Sequence, residues 1–218
     1  MQTAHSFVIR VLWVATVALW AHASNADQIP IDPARLIAAA RAQIGVTTVY
    51  DPAFVKLTYP GGDIPRDRGV CTDVVIRAYR DAFGLDLQQL VHDDMAANFQ
   101  LYPTRWGLNA PDASIDHRRV LNLRVYFTRM GAELTVSTNP AGYAPGDLVT
   151  QELPGNLPHI VIVSDTKSSD GIRPLVIQNI GRGTALDDTL FAYKITGHYR
   201  YVPASAQAKE SKINRLSR

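Results

Sequence analysis

The hydrophobic pattern of the chain changes at about residue 133, and this change constrains the fold more than any other feature. Before it, "IDPARLIAAARAQIG", "CTDVVIRAYRDAFG" and "IDHRRVLNLRVYFTRMG" place apolar residues at helical spacing, and "LDLQQLVHDDMAANF" is also predicted to be helical. After it come short runs rich in Val, Ile, Thr and Tyr: "ELTVST", "DLVTQEL", "HIVIVSD", "PLVIQNI" and "KITGHYRYV". Helices followed by strands predict an α+β domain, in which N-terminal helices pack on a mostly antiparallel sheet of about five strands.

The two ends of the chain differ from its body. Residues 1–26 carry Arg10, then an apolar run of about 11 residues, then small residues, which is the layout of a secretory signal peptide and too short for a membrane-spanning helix of about 20 residues. Residues 203–218 are predicted to be a flexible basic tail. We therefore expect a domain over residues 27–202 that is exported to the periplasm or beyond. It should have no stable membrane insertion once the signal is cleaved, although retention of the signal as an anchor is the alternative.

Cys71 is the only cysteine of the chain, so no disulfide can form within it. It stands between the loop "TYPGGDIPRDRG" and a predicted helix. A helix N-terminus and a neighbouring histidine are the two features that lower a thiol pKa and make cysteine nucleophilic. The first comes from the local sequence, and the second has to be brought close by folding. Full burial as a small apolar side chain is the competing interpretation.

Four histidines lie after residue 26, and they differ in context. His92 in "VHDDM" does not predict a metal site, because consecutive helix residues point in different directions. His117 in "SIDHRR" is at a predicted helix start capped by Asp116, and His198 is predicted to pack in a strand. His159 opens the apolar strand "HIVIVSD", where a side chain is held by a sheet and still reaches a cleft. We expect no metal and no cofactor.

A catalytic imidazole needs a third group on its other ring nitrogen. The strand "PLVIQNI" offers Gln178 and its rival Asn179, and adjacent strand residues face opposite sides of a sheet. At most one of the two can therefore orient His159.

These segments resemble a known superfamily. "YPGGDIPRDRGVCTDVV", "PGDLV", "HIVIVSD" and "VIQN" are similar to the NlpC-type papain-like cysteine hydrolases. "GVCTDVVIRAYR", "IDHRRV" and "NIGRGT" more closely resemble an exported bacterial family of unknown function, DUF1287. The resemblance implies a papain-like fold with Cys71 as nucleophile, His159 as base, Gln178 as third polar residue and Tyr59 at the site. Val70 replaces the Asp that usually precedes the nucleophile, and Thr72-Asp73 replaces Ser-Gly.

The resemblance also implies a function. It predicts an amide hydrolase, an amidase or endopeptidase, acting on peptidoglycan stem peptides or a similar peptide. We expect substrate contacts from Tyr59, Asp73, Arg118 and Arg119, with the arginines facing substrate carboxylates. A non-catalytic binding module for cell-wall fragments and a thiol acyltransferase are the alternatives. The net charge of +2, without a concentrated basic stripe, does not favour nucleic acid as a partner, and the oligomeric state is left open.

Overall fold

The computed structural model describes residues 32–202. The predicted signal peptide and the predicted basic tail lie outside this range. Within it the chain forms four α-helices: α1 Pro33–Arg41, α2 Cys71–Phe83, α3 Leu87–Asn98 and α4 Val120–Arg129. Three short 3-10 helices are also present: Phe99–Leu101, Asp116–Arg118 and Pro140–Gly142. No helix in this part of the chain is long and apolar enough to cross a membrane.

The strands form two sheets. A two-residue parallel pair joins β1 Val49–Tyr50 to β2 Arg68–Gly69. The larger sheet is antiparallel, with strand order β3-β8-β4-β5-β6-β7. Its strands are β3 Glu133–Leu134, β4 Leu148–Leu153, β5 Leu157–Lys167, β6 Pro174–Asn179, β7 Thr184–Asp187 and β8 Lys194–Tyr199. The predicted α+β class and mostly antiparallel sheet are confirmed.

Two boundaries differ from the prediction. The sheet has six strands because β7 forms from "TALD", which lacks a run of β-branched residues and pairs with the edge of β6. Asp116 does not cap α4. It begins a short 3-10 helix, and α4 starts at Val120.

Helix α2 is the element that places the candidate site. Its first turn is closed by Asp73, whose carboxylate accepts the Val70 N–H at 2.7 Å, and it ends at Gly84 in the left-handed region, with φ of 66°. Ten of its residues after Cys71 are buried as well, because the helix packs between α1 and the strands β5 and β6. The central helix therefore points its N-terminus at the middle of the sheet.

Candidate active site

Cys71 is the first residue of α2 and is only 6% exposed. The backbone N–H of Ile160, the residue after His159, hydrogen-bonds the thiol and favours the thiolate, as does that of Thr72. Burial outweighs these contacts and raises the pKa of Cys71 to about 11. Burial therefore acts against the lowering of this pKa that the sequence suggests for a thiol at a helix terminus near a histidine.

His159 lies in β5 and is held by Gln178 of the neighbouring strand β6. The His159 Nε2 and Gln178 Oε1 atoms are 2.8 Å apart. The amide nitrogen of Gln178 donates to Asp187 Oδ2 at 3.0 Å and to Thr189 Oγ1 at 2.9 Å, so its oxygen has to face the imidazole. His159 Nε2 then carries the proton and donates it, and Nδ1 is left as the basic nitrogen.

The choice between Gln178 and Asn179 follows from these contacts. Asn179 points to the other side of β6, where it donates to the carbonyl of Gly69 at 3.0 Å. Its oxygen accepts the N–H groups of Gly181 and Gly183, each at 3.2 Å. Gln178 is thus the partner of the imidazole, while Asn179 ties the β6–β7 turn to the strand that leads into Cys71.

The electrostatics of the pair favour neutral groups. Burial lowers the pKa of His159, and the hydrogen bond from its ring to Gln178 opposes this only in part. Burial thus acts on the thiol and on the imidazole in the same sense, against a resting thiolate–imidazolium pair. Burial therefore favours a neutral thiol and a neutral imidazole.

A cleft of about 210 Å³ opens at Cys71. Its wall includes Tyr50, Trp106, Arg119 and Pro158, the residue before His159. The cleft therefore lies between the Cys71 thiol and the start of β5, and a ligand would approach the thiol from that side.

Arg118 and Asp73 form a buried ion pair beside this cleft. Arg118 Nε and Nη2 donate to the two oxygens of Asp73 at 2.9 Å each, and further donors reach the carbonyls of Asp51 and Ala53 at 3.2 Å. Asp73 also accepts the Val70 N–H, so its oxygens are occupied within the protein. The prediction that Asp73 contacts substrate is wrong, because it anchors α2 and Arg118. Arg118 lines the cleft, but its N–H groups donate to Asp73 and to backbone carbonyls of the protein.

Arg119 has a different environment. Its guanidinium lies 4.1 Å from the centre of the Trp106 ring, and Nη1 is 3.9 Å from Asp116 Oδ1. Nη1 is buried and makes no hydrogen bond within the described residues. Of the two predicted substrate arginines, Arg119 is therefore the one with a guanidinium nitrogen that makes no hydrogen bond within the described residues.

Tyr59 lies elsewhere. It is 42% exposed, its hydroxyl donates to Asp93 at 2.7 Å and its ring packs against His92 at 5.0 Å. These contacts hold it on α3, and the tyrosine in the wall of the Cys71 cleft is Tyr50. The predicted role of Tyr59 in lining the site is corrected accordingly. Only the pairing of β1 with β2, two residues before Cys71, brings Tyr50 there, and a two-residue strand leaves no periodic signal in the sequence.

The other histidines belong to the interior or to α3. His198 Nε2 bonds Asp147 at 2.7 Å, and His117 is buried with its pKa lowered to about 3 by desolvation. His92 Nδ1 lies 3.7 Å from Asp116 Oδ2. Among residues 32–202 no group of three or more His, Cys, Asp or Glu side chains is arranged to hold a metal ion.

Fold and site together define an α+β protein with a buried cysteine at the start of α2 and a hydrogen-bonded histidine–glutamine pair on the neighbouring strands β5 and β6. The chain matches the family described as "Domain of unknown function (DUF1287)" over residues 37–201, and it belongs to that family. It is 55% identical over 162 residues to the "Uncharacterized protein YijF" of Escherichia coli (strain K12). The aligned residues make up 74% of this chain and 78% of that relative.

Proposed function

We propose that this protein is an exported cysteine hydrolase of papain-like fold that cleaves an amide bond, with peptidoglycan stem peptides as its substrate. The observation that carries the proposal is the 2.8 Å hydrogen bond between His159 Nε2 and Gln178. This bond engages Nε2 of His159 and leaves Nδ1 as the basic nitrogen. The next residue in β5, Ile160, donates its backbone N–H to the Cys71 thiol. A nucleophile, a base and an orienting group are thus supplied by three adjacent elements, α2, β5 and β6.

The proposed reaction has two halves. His159 Nδ1 accepts the thiol proton as Cys71 Sγ attacks the amide carbonyl, and the same proton passes to the leaving amine as the C–N bond breaks. Water then attacks the resulting thioester with His159 as base, which releases the acid and restores the thiol. The Cys71 N–H, at the start of α2 where no intrahelical acceptor exists, is the candidate donor to the oxyanion.

The raised thiol pKa determines the kind of base catalysis. Because burial holds the thiol and the imidazole neutral, proton transfer has to accompany attack. The orientation of His159 then matters in every turnover, as it does for a serine nucleophile. A substrate that closes the cleft also excludes water from this transfer.

Three features support a peptide of the cell wall as substrate. Residues 1–26 have the layout of an export signal, the cleft at Cys71 has room for a small part of a peptide, and Arg119 offers a buried donor to a carboxylate or carbonyl. Stem peptides carry such groups and lie in the compartment to which the protein is proposed to be exported.

The experiment is a digestion of purified peptidoglycan with wild-type protein and with Cys71→Ala, followed by mass spectrometry of the soluble fragments. We expect new peptide termini from the wild type and none from the variant. No new fragments between pH 5 and pH 9 would refute hydrolysis, and fragments from both proteins would refute the role of Cys71.

One observation favours a second candidate, a binding module that holds a wall fragment without cleaving it. A thiol whose pKa is raised to about 11 is chemically inert at neutral pH unless His159 activates it. Pull-down of Cys71→Ala with insoluble peptidoglycan distinguishes the two. Binding without any wild-type fragments identifies the module, and binding with fragments identifies the hydrolase.

A further inference from the structure

The loop of residues 103–111 supplies part of the wall of the Cys71 cleft. Trp106, which belongs to this loop, lines the cleft together with Arg119 and the thiol-bearing Cys71. None of the residues 103–111 is buried, and Trp106 itself is half-buried. A movement of this loop would therefore change the width of the cleft at the thiol.

The loop is fixed at its two ends. Tyr102, just before it, is buried, and its hydroxyl donates to Asp94 at 2.5 Å. Asp112, just after it, donates its N–H to Asp116 Oδ2 at 2.6 Å. Between these ends, no hydrogen bond or ion pair joins residues 103–111 to another part of the domain over the range that the structure describes. Packing and ring contacts alone hold the loop between its ends.

The tip of the loop faces open space. The Gly107 N–H donates to the Thr104 carbonyl at 2.9 Å, which closes a turn around Trp106. Gly107 has a φ of 64°, in the left-handed region that glycine adopts without strain, and a Cβ added there would meet no atom within 4 Å. The turn can therefore shift without colliding with the rest of the domain at this point.

Arg119 is the residue outside the loop that holds Trp106. Its guanidinium lies 4.1 Å from the centre of the Trp106 ring, which is within the range of a cation–π interaction. Arg105 also contacts the ring, at 5.8 Å, but it is part of the loop and would move with it. Arg119 directly precedes α4 and is thus fixed to the body of the domain.

Arg119 also has a second partner, which it does not reach. Its Nη1 lies 3.9 Å from Asp116 Oδ1. Both atoms are buried, and neither makes a hydrogen bond within residues 32–202. Burial raises the pKa of Asp116, and the positive charges of Arg119 and His92 oppose this shift only in part. A shift of about 1 Å would bring the two atoms to hydrogen-bond distance and satisfy both.

We propose that residues 103–111 form a lid over the Cys71 cleft and that Arg119 is its latch. In the closed state Arg119 stacks on Trp106, as the structure shows. In the open state Trp106 leaves the guanidinium, and Arg119 completes its ion pair with Asp116. This gain offsets part of the stacking that is lost, so the two states are close in free energy. The lid rests on the proposed function only in taking the Cys71 cleft as the entrance for substrate.

The test uses the only thiol of the chain as a reporter of access. Iodoacetamide and its bulky neutral derivative N-(1-adamantyl)iodoacetamide alkylate Cys71 by the same chemistry, so the ratio of their rates does not depend on the thiol pKa. Each rate is measured at pH 9 and divided by the rate for the urea-unfolded protein. The resulting access ratio, bulky over small, reports how far the cleft opens.

Trp106→Leu and Trp106→Phe form a matched pair. Both replace the indole by a smaller apolar side chain and widen the cleft to a similar extent, but Phe keeps a ring for Arg119. We expect the access ratio of Trp106→Leu to exceed that of Trp106→Phe about 5-fold, because a cation–π contact shifts an equilibrium by about this factor.

Asp116→Asn should act in the opposite direction. Asp116 does not line the cleft, and an Asn oxygen can still accept the Asp112 N–H. The variant removes the charge that stabilises Arg119 in the open state, so the access ratio should fall about 3-fold below that of the wild type. Asp188→Asn is the control, because Asp188 pairs with Arg173 away from the cleft, and it should leave the ratio unchanged.

Either of two results overturns the proposal. One is an equal access ratio for Trp106→Leu and Trp106→Phe, and the other is a ratio for Asp116→Asn at or above that of the wild type. If circular dichroism shows that Asp116→Asn does not fold, the comparison of Leu with Phe decides. The hydrolase can fail separately, because these rates are measured without a substrate: peptidoglycan that stays intact leaves the lid in place, and equal access ratios leave the hydrolase in place.

Discussion

Alkylation of Cys71 tests the electrostatics of the site directly. The chain has one cysteine, so a small neutral reagent such as iodoacetamide reports on this thiol alone. Burial raises the pKa of Cys71 to about 11. The alkylation rate of the folded protein should therefore rise about 10-fold per pH unit from pH 6 to pH 10 without reaching a plateau.

The magnitude follows from the ionised fraction. At pH 7 a thiol of pKa about 11 is ionised in about 1 molecule in 10⁴, against about 3% for an unperturbed cysteine of pKa about 8.5. The folded protein should accordingly react about 300-fold more slowly than the same protein unfolded in urea. Restricted access to a 6% exposed side chain adds to this factor, so the shape of the pH profile is the decisive measurement.

A plateau reached by pH 7 would refute the reasoning. It would mean that His159 and the helix terminus hold a resting thiolate despite burial, and the general-base step proposed above would be replaced by attack from a preformed ion pair. The urea-unfolded control should show an apparent pKa of about 8.5, and a failure there would point to the reagent.

Three further predictions concern Gln178, Asp73 and His117. Gln178→Ala should lower kcat about 100-fold because His159 loses its orientation, and ring NMR should show Nε2 protonated in wild type and mixed tautomers in the variant; unchanged tautomers would refute the role of Gln178. Asp73→Asn should cost about 3–5 kcal/mol in urea unfolding because Arg118 stays buried without its counterion, and a loss under about 1 kcal/mol would contradict this. For His117 the pKa falls from 6.5 unfolded to about 3 folded, so the unfolded chain binds the extra proton and stability declines as the pH drops below 6.5. This amounts to about 3 kcal/mol at pH 4.5, and His117→Leu should remove that part of the slope between pH 6.5 and 4.5, whereas an unchanged slope would refute the assignment.

Periodicity in the sequence was sufficient to predict the helices and strands that carry a long apolar face. Helix α2 and strand β5 were predicted because Val75, Ala78 and Tyr79 recur at helical spacing and because "HIVIV" is a continuous β-branched run. Strand β7 was missed because an edge strand needs few apolar residues. The pairing of strand faces also followed from period two, which predicted that only one of Gln178 and Asn179 could meet His159.

The contacts of single side chains could not be predicted in the same way. Asp73 was expected to face substrate, but it is taken up by Arg118, a residue 45 positions further along the chain. The cleft is lined by Tyr50 and not by Tyr59, because the pairing of two-residue strands β1 and β2 positions Tyr50 there. Such short strands leave no pattern in the sequence.

The depth of burial also could not be read from the sequence, and it changes the chemical interpretation most. A helix N-terminus lowers a thiol pKa when the sulfur is partly solvated, as the local sequence suggested. Here α2 packs its N-terminus against the middle strand of the sheet, so desolvation acts on the thiol and on His159 alike. A buried neutral thiol is also a poor target for oxidants, which react with accessible thiolates. One unpaired cysteine is then compatible with the export proposed above, provided that the proposed nucleophile is activated only when a substrate occupies the cleft.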